Sequence, residues 1–130
     1  MTRQPGPRPA TELATEAAQL LRRLEESTRP DALGDRGAAE CYEVLGQLRR
    51  IGEEINTTLS HLGTWLEQQY LAGRLDIAGD PFCTEPLEAV GRLLDGLHTA
   101  HESWATLSRS LQNAQVAAAG MVTVPPPRVE

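Results

Sequence analysis

The stretch HTAHESW, residues 98–104, holds the side chains of this chain best suited to chemistry. His98 and His101 are three apart, Glu102 follows, and Asp95 stands three before His98. Imidazoles and carboxylates are the common ligands of transition metals and the common general acids and bases. Asp95-x-x-His98 has the carboxylate-x-x-histidine spacing with which helical bundles hold paired metal ions. Such a site needs a second motif of the same kind and further inward-facing carboxylates. The remaining histidine, His61, has Thr58 three residues before it, so no second motif exists. The zinc pattern His-Glu-x-x-His also fails, because Ser103, Trp104 and Ala105 follow His101-Glu102. A metal-binding or enzymatic bundle centred on Asp95, His98, His101 and Glu102 is therefore the alternative reading. The expectation is no metal ligand set, no catalytic residue and no cofactor.

Other nucleophiles fare no better. Ser60 and His61 are adjacent, so on a helix their side chains point about 100° apart and cannot share a proton. The sequence has neither a Gly-x-Ser-x-Gly elbow nor a Gly-x-Gly-x-x-Gly phosphate loop. All 12 basic residues are arginine and none is lysine, which removes Schiff-base chemistry, a lysine base and the P-loop lysine. Cys83 falls in a predicted loop just ahead of a helix, where the helix end favours a thiolate, but Asp80 and Glu85 oppose it. An inert thiol is expected.

Charge narrows the partners. Twelve basic side chains stand against 18 acidic ones, for a net charge of −6. Nucleic-acid binding without sequence preference draws on Lys and Arg neutralising phosphates, so it is not expected here. No window of eighteen or so residues is uninterruptedly apolar, so no membrane span is expected. The opening MTRQPGPRPA has no apolar signal core, and a cytoplasmic location follows as the expectation.

The elements that would position these residues are helical. Ala, Leu, Glu, Gln and Arg dominate, and aromatic residues make up only 4%. Residues 1–10 hold three prolines and a glycine and read as a disordered arm; residues 120–130, with the run Pro125-Pro126-Pro127, read as a Pro-rich disordered tail. Between them, residues 11–119 form one helical domain. A first helix is expected from Thr11, as N-cap, to just before Pro30, with Leu13, Ala17, Leu20, Leu21 and Leu24 as its apolar stripe. The segment STRPDALGDRG should turn the chain. A second helix is predicted from about Gly37 to Ala72. Its seam would be Cys41, Leu45, Leu48, Gly52, Ile55, Leu59, Leu62 and Leu66, in alternating steps of four and three. A third is predicted from about Pro86 to Ala119, capped by Thr84. Its seam would be Leu93, Leu97, Ala100, Trp104, Leu107, Leu111, Ala114 and Ala118.

Two helices of equal length joined by about a dozen residues should fold back on each other. The predicted fold is all-α: a long antiparallel helical hairpin plus a shorter N-terminal helix, a three-helix bundle with disordered tails. Cys41 and Cys83 would lie at opposite ends, on the order of 45 Å apart, too far for a disulfide. Gly52 falls on the seam and would allow close approach, whereas Gly46 and Gly91 fall on the predicted outer face without an evident reason.

The first helix spans only about half of such a hairpin. It should lie beside the first half of the second helix and leave the loop-proximal half open. Leu59, Leu62, Trp65, Leu66 and Tyr70 of the second helix, with Leu87, Val90 and Leu94 of the third, would then form an apolar interface. Its occupant would be a second copy, giving a homodimer, or another helical protein, unless the first helix or the Phe82 loop folds over the patch. The functional expectation is a non-enzymatic helical-bundle interaction protein, self-associating or an accessory subunit of a larger assembly.

The segment CYEVLGQLRRIGEEINTTLSHLGTWLEQQYLAGRL, about a quarter of the chain, resembles the core helix of small Ala/Leu/Arg-rich proteins of high-GC Gram-positive bacteria. Some of those are encoded beside plasmid-transfer genes; the resemblance implies a bacterial helical protein and carries over no catalytic residue. In outline the hairpin is similar to the secreted WXG-type helical hairpins, which work as dimers. This chain departs from them in having Gly63-Thr64-Trp65 within the second helix instead of Trp-x-Gly in the turn, and in lacking Tyr-x-x-x-Asp/Glu near its end.

Overall fold

The computed structural model describes residues 6–34, 37–76 and 85–124. Its elements are α1 (Ala10–Ser27), the single turn α2 (Pro30–Leu33), α3 (Gly37–Leu71) and α4 (Pro86–Ala118), and the described residues contain no strand. The fold is all-α, with a long helical hairpin preceded by a shorter helix. Two compact units divide it: one holds α1, α2, the start of α3 and the last described residues, and the other runs from Cys41 to Met121.

In the first unit, α1 starts two residues earlier than an N-cap at Thr11 would place it. Its N-cap is Pro9, which offers no side-chain cap, and Thr11 lies inside the helix. The Thr15 hydroxyl donates to the Thr11 carbonyl at 2.9 Å. Arg8 holds the helix start through side chains instead. Its guanidinium reaches Glu12 at 2.7 Å and Glu16 at 2.6 Å, tying the approach to the first two turns. These two carboxylates, Glu16 foremost, raise the Arg8 pKa above its ordinary value. The stripe of α1 is largely open to solvent, with Leu20 61% exposed. The segment predicted as a plain turn contains α2, where Pro30 supplies a preset φ at the first helical position.

The N-terminus of α3 is capped from a distant part of the chain. The Thr123 hydroxyl oxygen accepts a hydrogen bond from the Ala38 N–H at 3.1 Å. The first four N–H groups of a helix have no partner within it, and a hydroxyl is a good acceptor for one of them. Thr123 falls in the segment read from sequence as a disordered tail. The prolines 125–127 of that segment, like the Phe82 loop with Cys83 and Thr84, lie outside the described residues.

At its other end α3 stops in a Schellman motif. Gly73 takes φ +71°, the Arg74 N–H bonds to the Gln69 carbonyl at 2.9 Å, and the Gly73 N–H bonds to Tyr70 at 3.0 Å. A left-handed residue there favours glycine, which explains the helix end one residue before the predicted Ala72. For α4 the N-cap position is Glu85, in extended conformation and without a side-chain cap, and Pro86 occupies the first turn.

The two long helices, 35 and 33 residues, pack antiparallel against each other. Gly46 meets Gln115, Gly52 meets Trp104, Asn56 meets His101 and Gly63 meets Leu97, so position falls along α4 as it rises along α3. This contact line corrects the predicted seam. Leu45, Gly52, Leu59 and Leu66 are in it as expected, and so are Leu97, Trp104, Leu111 and Ala118. The alternate rows differ. Asn56 and Gly63 are turned inward where Ile55 and Leu62 were expected, and Leu94, Ser108 and Gln115 are half-buried where Leu93, Leu107 and Ala114 were expected. Cys41, expected at the start of the seam, is an exposed free thiol.

The physical reason is size. Glycine at 52 and 63 lets an indole and a leucine sit directly on the helix backbone, and close approach brings many dispersion contacts at once. A Cβ at Gly63 would stand 3.1 Å from Leu97 Cδ1. Gly46, expected on the outer face, likewise packs under the Gln115 side chain, 2.5 Å from where a Cβ would be. Gly91 has open space around it, and nothing in the structure explains it.

Candidate interaction face

Each long helix turns a second apolar row beside its seam. On α3 this row holds Ile55 and Leu62, 49% and 50% exposed; on α4 it holds Leu93 and Leu107, 40% and 51% exposed, with Ala100 between them. These rows belong to one side of the hairpin, and the opposite side shows why. Ser60 and His98 line a common cleft of about 170 Å³ together with Asn56, Gly63, Leu97 and His101. Leu62 and Ala100 are each two positions further along, so each lies roughly 160° round its helix from the cleft. Both therefore face away from the cleft, on the same side.

This side carries an uncharged strip through its loop-proximal half, with Glu54 of α3 and Arg92 of α4 at its margins as helical angles place them. Ile55, Thr58, Leu62 and Trp65 present it from α3. The facing positions of α4 are Leu93, Gly96, Ala100, Ser103 and Leu107. Glu53, Glu67, Asp95 and Glu102 stand on the other sides of the same helices, as helical angles place them.

The eight residues expected to form the interface do not fall on a single surface. Leu59, Leu66, Tyr70, Val90 and Leu94 are half-buried within the hairpin. Leu62 and Trp65 are exposed on and beside the uncharged side, Trp65 at 54%. Leu87 is 60% exposed at the start of α4. Ile55, Leu93 and Leu107 belong to the exposed face but had been assigned to the seam. The signal that finds them is the pairing of glycines with large residues across the hairpin, which rotates both helices by about half a position, roughly 50°.

The hairpin has little interior of its own. Among the described residues only Gly52, Gly63 and Ala118 are buried, and no large side chain is fully buried. A two-helix layer can cover one stripe per helix, so a second stripe needs another surface.

The histidines that opened the sequence analysis are arranged differently from a ligand set. His98 Nε2 lies 3.1 Å from Glu102 Oε1, one turn along the exposed surface of α4. His101 Nδ1 lies 3.0 Å from Asn56 Oδ1, across the hairpin. His101 therefore joins the two helices, a role that its place on the flank of an apolar stripe did not reveal. Asp95 is exposed. Among the described residues no three His, Cys, Asp or Glu side chains are grouped to hold a metal ion. No described helix is long and apolar enough to cross a membrane.

No family model, curated protein or solved structure matches this chain.

Along the helices Arg22 lies 4.0 Å from Glu26 and Arg49 3.9 Å from Glu53. Both are exposed, where such pairs add little.

Proposed function

We propose that this chain is a non-enzymatic helical interaction protein that works by helix–helix association, as a self-associating unit or as an accessory subunit of a larger assembly. The observation that supports this reading is the uncharged face around Ile55, Leu62, Leu93 and Leu107. Four large apolar side chains there are each about half exposed on a hairpin with no fully buried large side chain.

Magnitude favours an interface. Full burial of a Leu or Ile side chain contributes roughly 1.5–3 kcal/mol, so covering these four half-exposed ones contributes on the order of 4 kcal/mol per hairpin. Trp65 at the edge adds to that. A gain of this size from each side is comparable with the roughly 4–15 kcal/mol that association costs in lost freedom. It supports reversible binding better than a permanent assembly.

The test is photocross-linking in the cell through a photoreactive residue placed at Leu62, with the same residue at Ser60 as control. A covalent adduct of discrete mass at position 62 and none at 60 is the expected result. No adduct at position 62 overturns the reading. Replacing His98 and His101 together by Ala should leave the adduct in place, because the histidines lie off this face. Its disappearance together with a bound metal or an activity would favour an enzymatic or metal-binding bundle instead.

A further inference from the structure

We infer that the occupant of the uncharged face is a second copy of this chain, packed face to face about a two-fold axis parallel to the helices, with α3 of each copy over α4 of the other. The inference rests on the interaction reading above and names its partner.

The register of the hairpin carries it. Contacting residues of α3 and α4 have numbers that sum to between 156 (52 with 104) and 161 (46 with 115), which fixes which residues share a level. A two-fold axis along the helices preserves those levels. Leu62 of one copy then stands at the level of Gly96 of the other, between Leu93 and Ala100. Ile55 stands at the level of Ser103, between Ala100 and Leu107. At both places a large side chain of α3 meets a glycine or serine of α4 flanked by a leucine and Ala100 about one turn away.

This is the knob-and-hole relation of packed helices, and the two-fold axis repeats it in reverse. At these two levels the large residue sits on α3 and the small one on α4, so the two copies fit each other there. Gly96 has open space around it, with nothing within 4 Å of where a Cβ would be, so the hole is unfilled within one copy. An antiparallel pairing of α3 on α3 would instead set Leu62 and Ile55 against each other and leave Gly96 and Ala100 unfilled.

Charge agrees. Each copy carries a net charge of −6, so approach is favoured only through a surface that brings no carboxylates together. The strip around Ile55, Leu62, Leu93 and Leu107 meets that condition, with the one carboxylate Glu54 and the cation Arg92 at its margins; the opposite side, with Glu53 and Glu102, does not. Size sets the strength. Leu93 to Leu107 spans about 21 Å of helix and two helices are about 20 Å wide, giving roughly 800 Å² over both copies, at the weak end of specific interfaces. The dimer should therefore dissociate on dilution.

The experiment is light scattering on a sizing column across about a hundredfold range of concentration. The expected mass rises from 14.2 kDa towards twice that value. Leu62→Glu should weaken the dimer at least about tenfold, Leu62→Gln less, and Ser60→Glu on the opposite side should leave it unchanged. Circular dichroism checks that each variant keeps its helix. In a background with Cys41 and Cys83 replaced by Ser, Leu62→Cys with Gly96→Cys should oxidise to a covalent dimer, and Leu62→Cys alone should not.

A monomer at every concentration overturns the inference. So does a dimer that survives Leu62→Glu, or one that cross-links through Leu62→Cys alone. If the chain is monomeric and the photoadduct at position 62 has some mass other than twice the chain, the interaction reading stands and the second copy is wrong. No adduct at all overturns both.

Discussion

The indole of Trp104 lies directly over Gly52, with three of its ring carbons in the space that a side chain at position 52 would need. Such a contact couples one residue on each long helix and sets how closely the helices approach. Removing a glycine from a helix interior normally stabilises it by up to about 1 kcal/mol. Here the added methyl would force the indole out of its place, and overpacking of this kind costs about 1–3 kcal/mol. Gly52→Ala should therefore destabilise the hairpin despite its better helix propensity. Gly91→Ala, where nothing lies within 4 Å of the new methyl, should stabilise it by up to about 1 kcal/mol. Urea unfolding of the two variants side by side checks the opposite signs. Equal shifts in the same direction would mean that the Trp104 contact does not hold the helices together.

That contact also explains how far the sequence alone could be read. The number, length and ends of the long helices follow from apolar periodicity and from glycine and proline, and the structure has them within a residue or so. The rotation of the helices does not follow. Periodicity counts Ile55 and Leu62 as better seam residues than Asn56 and Gly63 because it scores transfer from water alone. Packing also scores shape: an indole against a glycine, or a leucine against a glycine, brings backbones together and gains contacts that two opposed leucines cannot make. The larger part of each seam was legible because Leu45, Leu48, Gly52, Leu59 and Leu66 satisfy both criteria. The rest was not, and Ile55, Leu62, Leu93 and Leu107 among the displaced residues make the exposed face. The Thr123 cap was illegible for a different reason, since its partner is 85 positions away and no local pattern links them.

The His101–Asn56 pair should contribute as a hydrogen bond and not as a ligand set. A typical net contribution is about 0.5–1.5 kcal/mol, and this pair is partly exposed, so the lower part of that range applies. Asn56→Ala should lower stability by about that amount. His101→Ala made in addition should cost little more, because its partner is already gone. A double-mutant cycle by thermal unfolding measures this coupling. Strictly additive losses would mean that the 3.0 Å contact has no energetic weight.

The clamp of Arg8 on Glu12 and Glu16 makes a pH statement with a definite sign. The folded chain raises the Arg8 pKa, Glu16 contributing most and Glu12 next. A group whose folded pKa is raised stabilises the fold at every pH below its unfolded value and loses that contribution as pH climbs through the folded one. For an arginine that window lies in strong alkali. Titration of Arg8 itself should therefore leave the first turns of α1 unchanged across the neutral range. Arg8→Gln should loosen them across the neutral range, and added salt should weaken the clamp of the natural chain because the partners are exposed. Amide exchange at Glu12 and Leu13 reads both effects. Protection there that is indifferent to Arg8→Gln would mean that the helix start is held by its backbone alone.

The Thr123 cap ties the residues after α4 to the start of α3. Loss of a hydroxyl cap costs about 0.5–2 kcal/mol where the helix end has no other partner. Thr123→Val keeps the shape of the side chain and removes its acceptor, so the Ala38 N–H loses its bond. The expected result is faster amide exchange at Ala38 and a stability loss of about 1 kcal/mol, with Thr123→Ser close to the natural chain. The effect should be confined to the first turn of α3, because propagation through a helix of 35 residues needs only its later bonds. Slowed or unchanged exchange at Ala38 in Thr123→Val would show that the turn is capped by something other than this hydroxyl. Exchange quickened along the whole of α3 would show instead that the cap nucleates the hairpin and does more than trim its end.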